Sequence, residues 1–278
     1  MNIYGIKYTK PKVVLLQETG IGVAESAART CYDSFCNSEN EAIKYIENNL
    51  PSEATCKEIN NIESSELLDD LAWTYFHHSI LEHANLSYLI RGTSRGVLQE
   101  HARHRIQAIS VRSTRYTMSS LINAFVASLK TKNKEFFIDK VLSFDMFVTA
   151  DENYNRLEIS AMYEKLKYQS TMVEEFYSLA VAKSSLHFLD EIKDTTKLYE
   201  ALQSGKKKRN VGDAFKHIIT DNVKVDMIVT FNLRSLKNYF TLRDSGAAYF
   251  QIKWLAQEMK KVTPKKYLDL IVKGGTNV

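Results

Sequence analysis

Between Pro51 and Pro264 the chain contains no proline, and only one other, Pro11, occurs anywhere in it. Ten glycines are the remaining strong breakers in 278 residues. A backbone so rarely interrupted can sustain long hydrogen-bonded segments, because proline removes a donor and clashes with the preceding turn. The expectation is a helix-rich chain. With 44% hydrophobic and 25% charged residues it can bury a sizeable core, as one large domain or two small ones. The same composition excludes disorder.

A coarse pass along the chain places the elements. "KVVLLQE" (12–18) reads as a strand and "VAESAARTCYDSF" as the helix after it. Residues 38–75 turn from polar to amphipathic and are predicted helical. In "NLSYLIRG" (85–92) Leu86, Tyr88 and Ile90 alternate, which predicts a strand, with Thr93 and Ser94 as candidate N-caps of a helix through Arg105. Residues 120–203 read as charged helix, and "SGKKKRN" (204–210) as a solvated loop. From Val225 onward the pattern predicts one or two long helices, interrupted near Ser245 and Gly246. The expected class is α+β, a helix-rich single domain with a small mixed or antiparallel sheet.

The net charge of +4 is too small for a nucleic-acid coat but compatible with a local anion site. Cys31, Cys36 and Cys56 form no C-x-x-C pair and are odd in number, which predicts a reducing, cytoplasmic setting. No stretch approaches the roughly 18 apolar residues of a membrane span, and the first twenty residues lack the apolar core of a signal peptide.

Three motifs invite chemistry. "QETGIGVAES" places Gly20 and Gly22 between a strand and a helix, but the third glycine of a dinucleotide fingerprint would fall at Glu25 and no βαβ alternation follows. His77, His78, His83, His101 and His104 cluster near Glu82 and Glu100, yet the helical pair His101 and His104 is flanked by Arg103 and Arg105, which would repel a divalent cation, so no metal is expected. An anion site fits "RHRIQAISVRSTRY" (103–116) better. Glu100, Arg103 and His104 are three and four apart on the expected helix, and Ser113 and Arg115 share a face if the chain there is extended. An internal ion-pair network or a subunit interface would collect the same residue types. In "NLRSLKNYFTLR" (232–243) Arg234 and Asn238 share a helical face, whereas Arg243 points about 180° away and would serve a different ligand or subunit. An ordinary packed amphipathic helix would also explain this segment, with Leu233, Leu236, Phe240 and Leu242 as its core stripe.

Taken together, these segments resemble the flavin-dependent thymidylate synthases. Arg-His-Arg, seven residues, serine, then Arg-Tyr matches that family's signature, and "HHSILEHANLSYLIRGTSRGVLQEHARHR" ahead of it is similar in order and spacing. "AARTCYDS" and "NLRSLKNYFTLR" look like two further blocks. The resemblance spans about residues 12–262, with helical insertions near 38–70 and 120–200. It implies an α+β fold in a homotetramer with active sites between subunits. The implied reaction methylates dUMP at C5, taking carbon from methylenetetrahydrofolate and hydride from FAD that NADPH has reduced, with no cysteine nucleophile. By position, FAD would be held by His77, Ser79, Arg103, His104, Arg105, Asn232, Arg234 and Asn238. The dUMP ligands would be Glu100, Arg103, Ser113, Arg115, Lys216 and Arg243, with Arg243 the catalytic group at the uracil ring.

Several positions depart from the family pattern. Val111 stands where an acid or amide is expected, Lys216 where an arginine binds the substrate phosphate, and Tyr249 and Gln251 where an amide and a carboxylate are usual. Lysine keeps the charge but not the bidentate fork. These departures motivate an alternative, a related flavoenzyme acting on another pyrimidine nucleotide or releasing a hydroxymethylated product. A non-enzymatic nucleic-acid-binding protein is the alternative of a different class, marked by steep salt dependence.

Overall fold

The computed structural model describes residues 1–114, 119–175 and 218–272. In chain order its elements are β1 (Asn2–Ile3), β2 (Ile6–Lys7), β3 (Lys12–Glu18), α1 (Ile21–Tyr32), α2 (Glu41–Lys44), α3 (Glu53–Asn60), α4 (Glu66–Trp73), β4 (Asn85–Ser94), α5 (Arg95–His101), β5 (Ala108–Val111), α6 (Ser119–Thr131), α7 (Lys134–Leu142), α8 (Glu152–Glu175), β6 (Lys224–Asn232), α9 (Leu233–Arg243), α10 (Phe250–Val262) and α11 (Lys265–Ile271). A 3₁₀ segment at His78–His83 precedes β4. Among the described residues no helix is long and apolar enough to cross a membrane.

Two compact units emerge among these residues. One joins Met1–Thr9, Ser94–Gly96 and the segment from Arg112 to Val225; the other joins Lys10–Thr93, Val97–Val111 and the chain from Asp226 onward. The second unit is organised by a four-stranded sheet in the order β3-β4-β6-β5. β3 pairs antiparallel with β4, Leu15 opposite Tyr88, and β5 antiparallel with β6, Ile109 opposite Val229. Between β4 and β6, Ser87 Oγ lies 2.8 Å from Thr230 Oγ1 and the Gly92 amide donates to Asp226 Oδ1 at 2.9 Å. The opposite run of these contacts makes that pair antiparallel too. Leu86, Tyr88 and Ile90 of β4 and Met227, Val229 and Phe231 of β6 are buried in one cluster with Ile252, Leu255 and Met259 of α10. Period-two alternation thus fixes which sheet face meets the helices.

Two elements differ from the sequence expectation. Residues 224–232 form a strand, not the start of a long helix: Val225, Met227, Val229 and Phe231 alternate into the core, and the β-branched content favours the pleated surface. The helix after β4 begins at Arg95 and ends at His101, short of Arg105, while Thr93 and Ser94 are the buried end of the strand. The strand over 12–18, the helix after it and the short helices α2 to α4 follow the expectation.

Gly20 and Gly22 have a packing role. A Cβ on Gly20 would stand 2.1 Å from the Asn60 carbonyl oxygen, and one on Gly22 2.2 Å from that of Ile59, so α1 can approach the end of α3 only without side chains there. Glu25, at the third fingerprint position, is buried; it accepts from Ser38 Oγ at 2.6 Å and Asn40 Nδ2 at 2.9 Å, and pairs with Arg29 at 3.4 Å. These partners satisfy a charge that burial would otherwise penalise heavily.

The first unit has its own core. Phe125 of α6, Phe137 of α7 and Tyr163 of α8 meet edge to face or tilted at 5.4–6.1 Å between centroids. The helical expectation for 120–203 therefore holds through Glu175 apart from the short connections. The remainder, with "SGKKKRN" (204–210), lies outside the described residues.

A candidate anion-binding active site

In α9 the apolar stripe Leu233, Leu236, Tyr239 and Phe240 is buried. Anchoring that stripe turns Arg234, Lys237, Asn238 and Thr241 toward a cavity of about 1090 Å³, which His78, Glu82, Arg103, His104, Arg105 and Arg243 also line. Asn232 sits just before the helix, where its Oδ1 accepts from the Ser235 amide at 2.8 Å, an N-cap that satisfies one of the first-turn donors. Among the described residues the lining carries five Arg and Lys side chains, Arg103, Arg105, Arg234, Lys237 and Arg243, against one carboxylate, Glu82. Such an imbalance in a concave site attracts anions.

Arg243 is the centre of the hydrogen-bond network. Its Nη1 donates to Glu100 Oε2 at 2.8 Å, its Nη2 to the Glu100 carbonyl at 3.1 Å, and its Nε to His104 Nε2 at 2.8 Å. Among the described residues three of the five donors of this guanidinium are thereby used, and two point to no protein acceptor. Glu100 also holds Arg103 at 3.6 Å, so one carboxylate orients two arginines. On the far side of the cavity Arg234 pairs with Glu82 at 2.6 Å.

An arginine only donates, so His104 Nε2 must be bare and the ring neutral, its proton on Nδ1. Burial, then the charges of Arg243 and Arg103, lower the His104 pKa to about 4 against the pull of Glu100. Behind it His101 is wholly buried; its Nδ1 lies 3.1 Å from the Tyr239 hydroxyl and its Nε2 makes no hydrogen bond among the described residues. Burial, then His104, hold His101 also at about 4, and Gln107 opposes. Tyr239, packed against both imidazoles, has its hydroxyl pKa raised by burial.

The sign of the resulting pH effect is definite. His101 has a folded pKa of about 4 against an ordinary 6.5, so between these values the unfolded chain binds a proton that the fold refuses. Stability is then complete above about pH 6.5 and falls as pH drops toward 4, on the order of 3 kcal/mol for this one group. Thermal unfolding between pH 7.5 and 4.5 should register this loss, and His101→Leu should reduce it, His104 keeping its own share. Equal slopes for the two proteins would contradict the assignment.

Several of the sequence-predicted residues meet at this cavity: Arg103, His104, Arg105, Arg234, Asn238 and Arg243 line it, with Glu100 bonded to its wall. The helical wheel puts Arg234 and Arg243 on opposite faces, which suggested separate ligands, yet both line one cavity. The reason is that Arg243 ends the helix and its long side chain is drawn to α5 by Glu100 and to the segment just after it by His104. His77 and Ser79 are exposed and flank the lining residue His78. Ser113, partly buried, follows β5 and belongs to the other unit; Arg115 and Lys216 lie outside the described residues. Val111 is a β5 ladder residue opposite Met227, packed on the core. Among the described residues no group of three His, Cys, Asp or Glu side chains could hold a metal ion. Sequence reasoning did not single out Lys237 as a lining residue, although its place three residues after Arg234 on one helix was a usable signal.

Known proteins are similar to this chain over most of its length. The flavin-dependent thymidylate synthase of Wolinella succinogenes is 27% identical over 255 residues, 92% of this chain and 94% of that one. The enzyme of the same name from Helicobacter pylori is 25% identical over 258 residues, 92% and 95% of the two chains. A crystal structure of Thymidylate Synthase X from Helicobacter pylori with FAD and dUMP superposes with a TM-score of 0.57 at 24% identity, covering 94% of this chain and 97% of that one. A second structure of that protein, also complexed with FAD and dUMP, gives a TM-score of 0.57 at 25% identity. Residues 14–267 match the Thy1 family, described as thymidylate synthase complementing protein, and the chain belongs to that family.

Proposed function

We propose that this chain is a flavin-dependent thymidylate synthase that converts dUMP to dTMP, with methylenetetrahydrofolate as carbon donor and NADPH as reductant of bound FAD. The observation that carries the reading is the cavity on the Arg-His-Arg block, where five cations face one carboxylate and one glutamate orders two arginines. Its volume of about 1090 Å³ and its charge suit a large, phosphate-bearing, planar group. FAD, when bound, supplies the hydride that reduces the transferred carbon unit to a methyl group.

The remaining roles belong to the chain. Arg103, His104, Arg105, Arg234 and Asn238 hold the flavin from the cavity wall, with His77, Ser79 and Asn232 contributing from beside it. Glu100, Arg103, Ser113, Arg115 and Lys216 hold dUMP. Arg243 directs its two remaining donors at the uracil ring and favours loss of the N3 proton, which raises electron density at C5. Glu100 and neutral His104 keep that guanidinium in one orientation, so little reorganisation accompanies the reaction. The chain acts as a homotetramer in the cytoplasm, with active sites shared between subunits. The sheet face opposite the core, which leaves Val14 53% and Ile228 44% exposed, suits burial against another copy.

The first test is the visible absorption of the purified protein before and after anaerobic NADPH. A flavin spectrum that bleaches is the expected result. A colourless protein that also refuses added FAD would overturn the reading and favour a nucleic-acid-binding role.

A further inference from the structure

Lys237 lines the cavity, yet no acidic group among the described residues pairs with it. Its ammonium lies 3.9 Å from the centroid of the Trp73 ring and 3.0 Å from His78 Nε2. The indole is itself fixed, because Trp73 Nε1 donates to the Asp269 carbonyl at 2.8 Å. His78 Nε2 also lies 3.0 Å from the Ala72 carbonyl oxygen.

These two contacts of one nitrogen are incompatible. A protonated Nε2 donates to Ala72 and then presents its N–H to an ammonium, which is also only a donor. A bare Nε2 accepts from Lys237 and then faces the lone pairs of the carbonyl. Either tautomer leaves one contact frustrated, and burial already disfavours the lysine charge, lowering its pKa. An oxyanion in the cavity beside Lys237 relieves both problems: the ammonium turns to it, and Nε2–H donates to Ala72 unopposed. The Trp73 face meanwhile keeps the ammonium in place, so little side-chain entropy is lost on binding.

We infer that Lys237, positioned by Trp73 and His78, is a phosphate-binding subsite for a dinucleotide entering this cavity. It lies on the α9 side with Arg234, which is already neutralised by Glu82, so Lys237 supplies the uncompensated charge there. The identification of the dinucleotide rests on the flavoenzyme reading; the phosphate preference itself does not. FAD and NADPH offer the same chemistry, and the test separates them.

Inorganic pyrophosphate titrated calorimetrically into the wild-type chain and Lys237→Met reads the subsite without any flavin. The variant keeps an apolar stem over Trp73 and should bind pyrophosphate about tenfold more weakly or worse, the effect of one lost charge-assisted hydrogen bond. Lys237→Arg should restore most of the affinity, which a merely structural role would not do. Should Lys237→Met fail to fold by circular dichroism, Lys237→Gln serves in its place. The Kd for FAD and the KM for NADPH then identify the source, one of them weakening similarly while riboflavin, which has no phosphate, binds unchanged. Equal pyrophosphate affinity in wild type and variant would overturn the proposal, as would an effect confined to the KM for dUMP. A wild-type chain that binds pyrophosphate through Lys237 but takes neither dinucleotide would overturn the flavoenzyme reading and leave the phosphate subsite standing.

Discussion

Arg243→Ala is expected to lower kcat/KM for dUMP by about 10²- to 10³-fold while leaving bound flavin in place, the scale of removing one preorganised donor from a charge-stabilising site. The structure accounts for so large an effect. Among the described residues the guanidinium spends three donors on Glu100 and His104, so the substitution removes both the proposed substrate contact and the network that orients it. Among the described residues Glu100 would retain the longer contact to Arg103 at 3.6 Å. His104 would lose the positive neighbour that ranks second among the causes of its lowered pKa, so its pKa should rise toward the ordinary value. Arg243→Lys keeps the charge but not the fork, and should fall between wild type and alanine. Flavin titration and steady-state kinetics on the same preparations check both halves. Near-normal turnover in Arg243→Ala would remove this residue from the mechanism; loss of flavin would place it in the cofactor site instead.

The largest effect on the fold should come from Gly20→Ala. The new Cβ would sit 2.1 Å from the Asn60 carbonyl oxygen, 2.5 Å from its carbon and 2.6 Å from the Asn60 Cα. All three neighbours are backbone, so no flexible side chain can yield, and α1 must separate from the end of α3. Overpacking against rigid backbone lies at the upper end of the usual cost, about 3 kcal/mol, a drop in Tm of roughly 6 °C or more for a chain of this size. Gly246→Ala is the internal control, since its Cβ would meet nothing within 4 Å. Its expected effect is within about 0.5 kcal/mol of zero. Thermal denaturation of the two variants decides the matter, and comparable Tm values would contradict the contact-glycine account.

Local signals carried much of this structure. The alternation of Leu86, Tyr88 and Ile90 gave β4 because one face of that strand is wholly buried, and a period of two is legible whenever the burial is that one-sided. β6 was misread for the opposite reason. Met227, Ile228, Val229 and Phe231 crowd apolar residues onto both faces, Ile228 remaining 44% exposed, so the period is blurred and the following helical stripe absorbs the strand. Glycine arithmetic separated Gly20 and Gly22 from a dinucleotide fingerprint, but only the crossing of α3 supplies their purpose.

The candidate site was legible as composition and order, not as geometry. Residue spacing joined Glu100 to Arg103, and the 3.6 Å pair bears that out. The bond from Arg243 to Glu100 spans 143 positions and could not be read from any local window. Helical-wheel reasoning even separated Arg234 from Arg243, because it treats side chains as short radial vectors, whereas an arginine at a helix end can fold back to a partner. Lys237 escaped notice because its partners, Trp73 and His78, lie more than 150 positions earlier.

The central claim is best tested by the mass of the nucleotide formed from dUMP, methylenetetrahydrofolate and NADPH under anaerobic conditions with the FAD-loaded protein. The expected product is dTMP, a gain of one methyl group in place of the C5 hydrogen. Unchanged dUMP beside a reduced flavin, or a nucleotide carrying a hydroxymethyl group, would contradict it and point to a changed substrate or product.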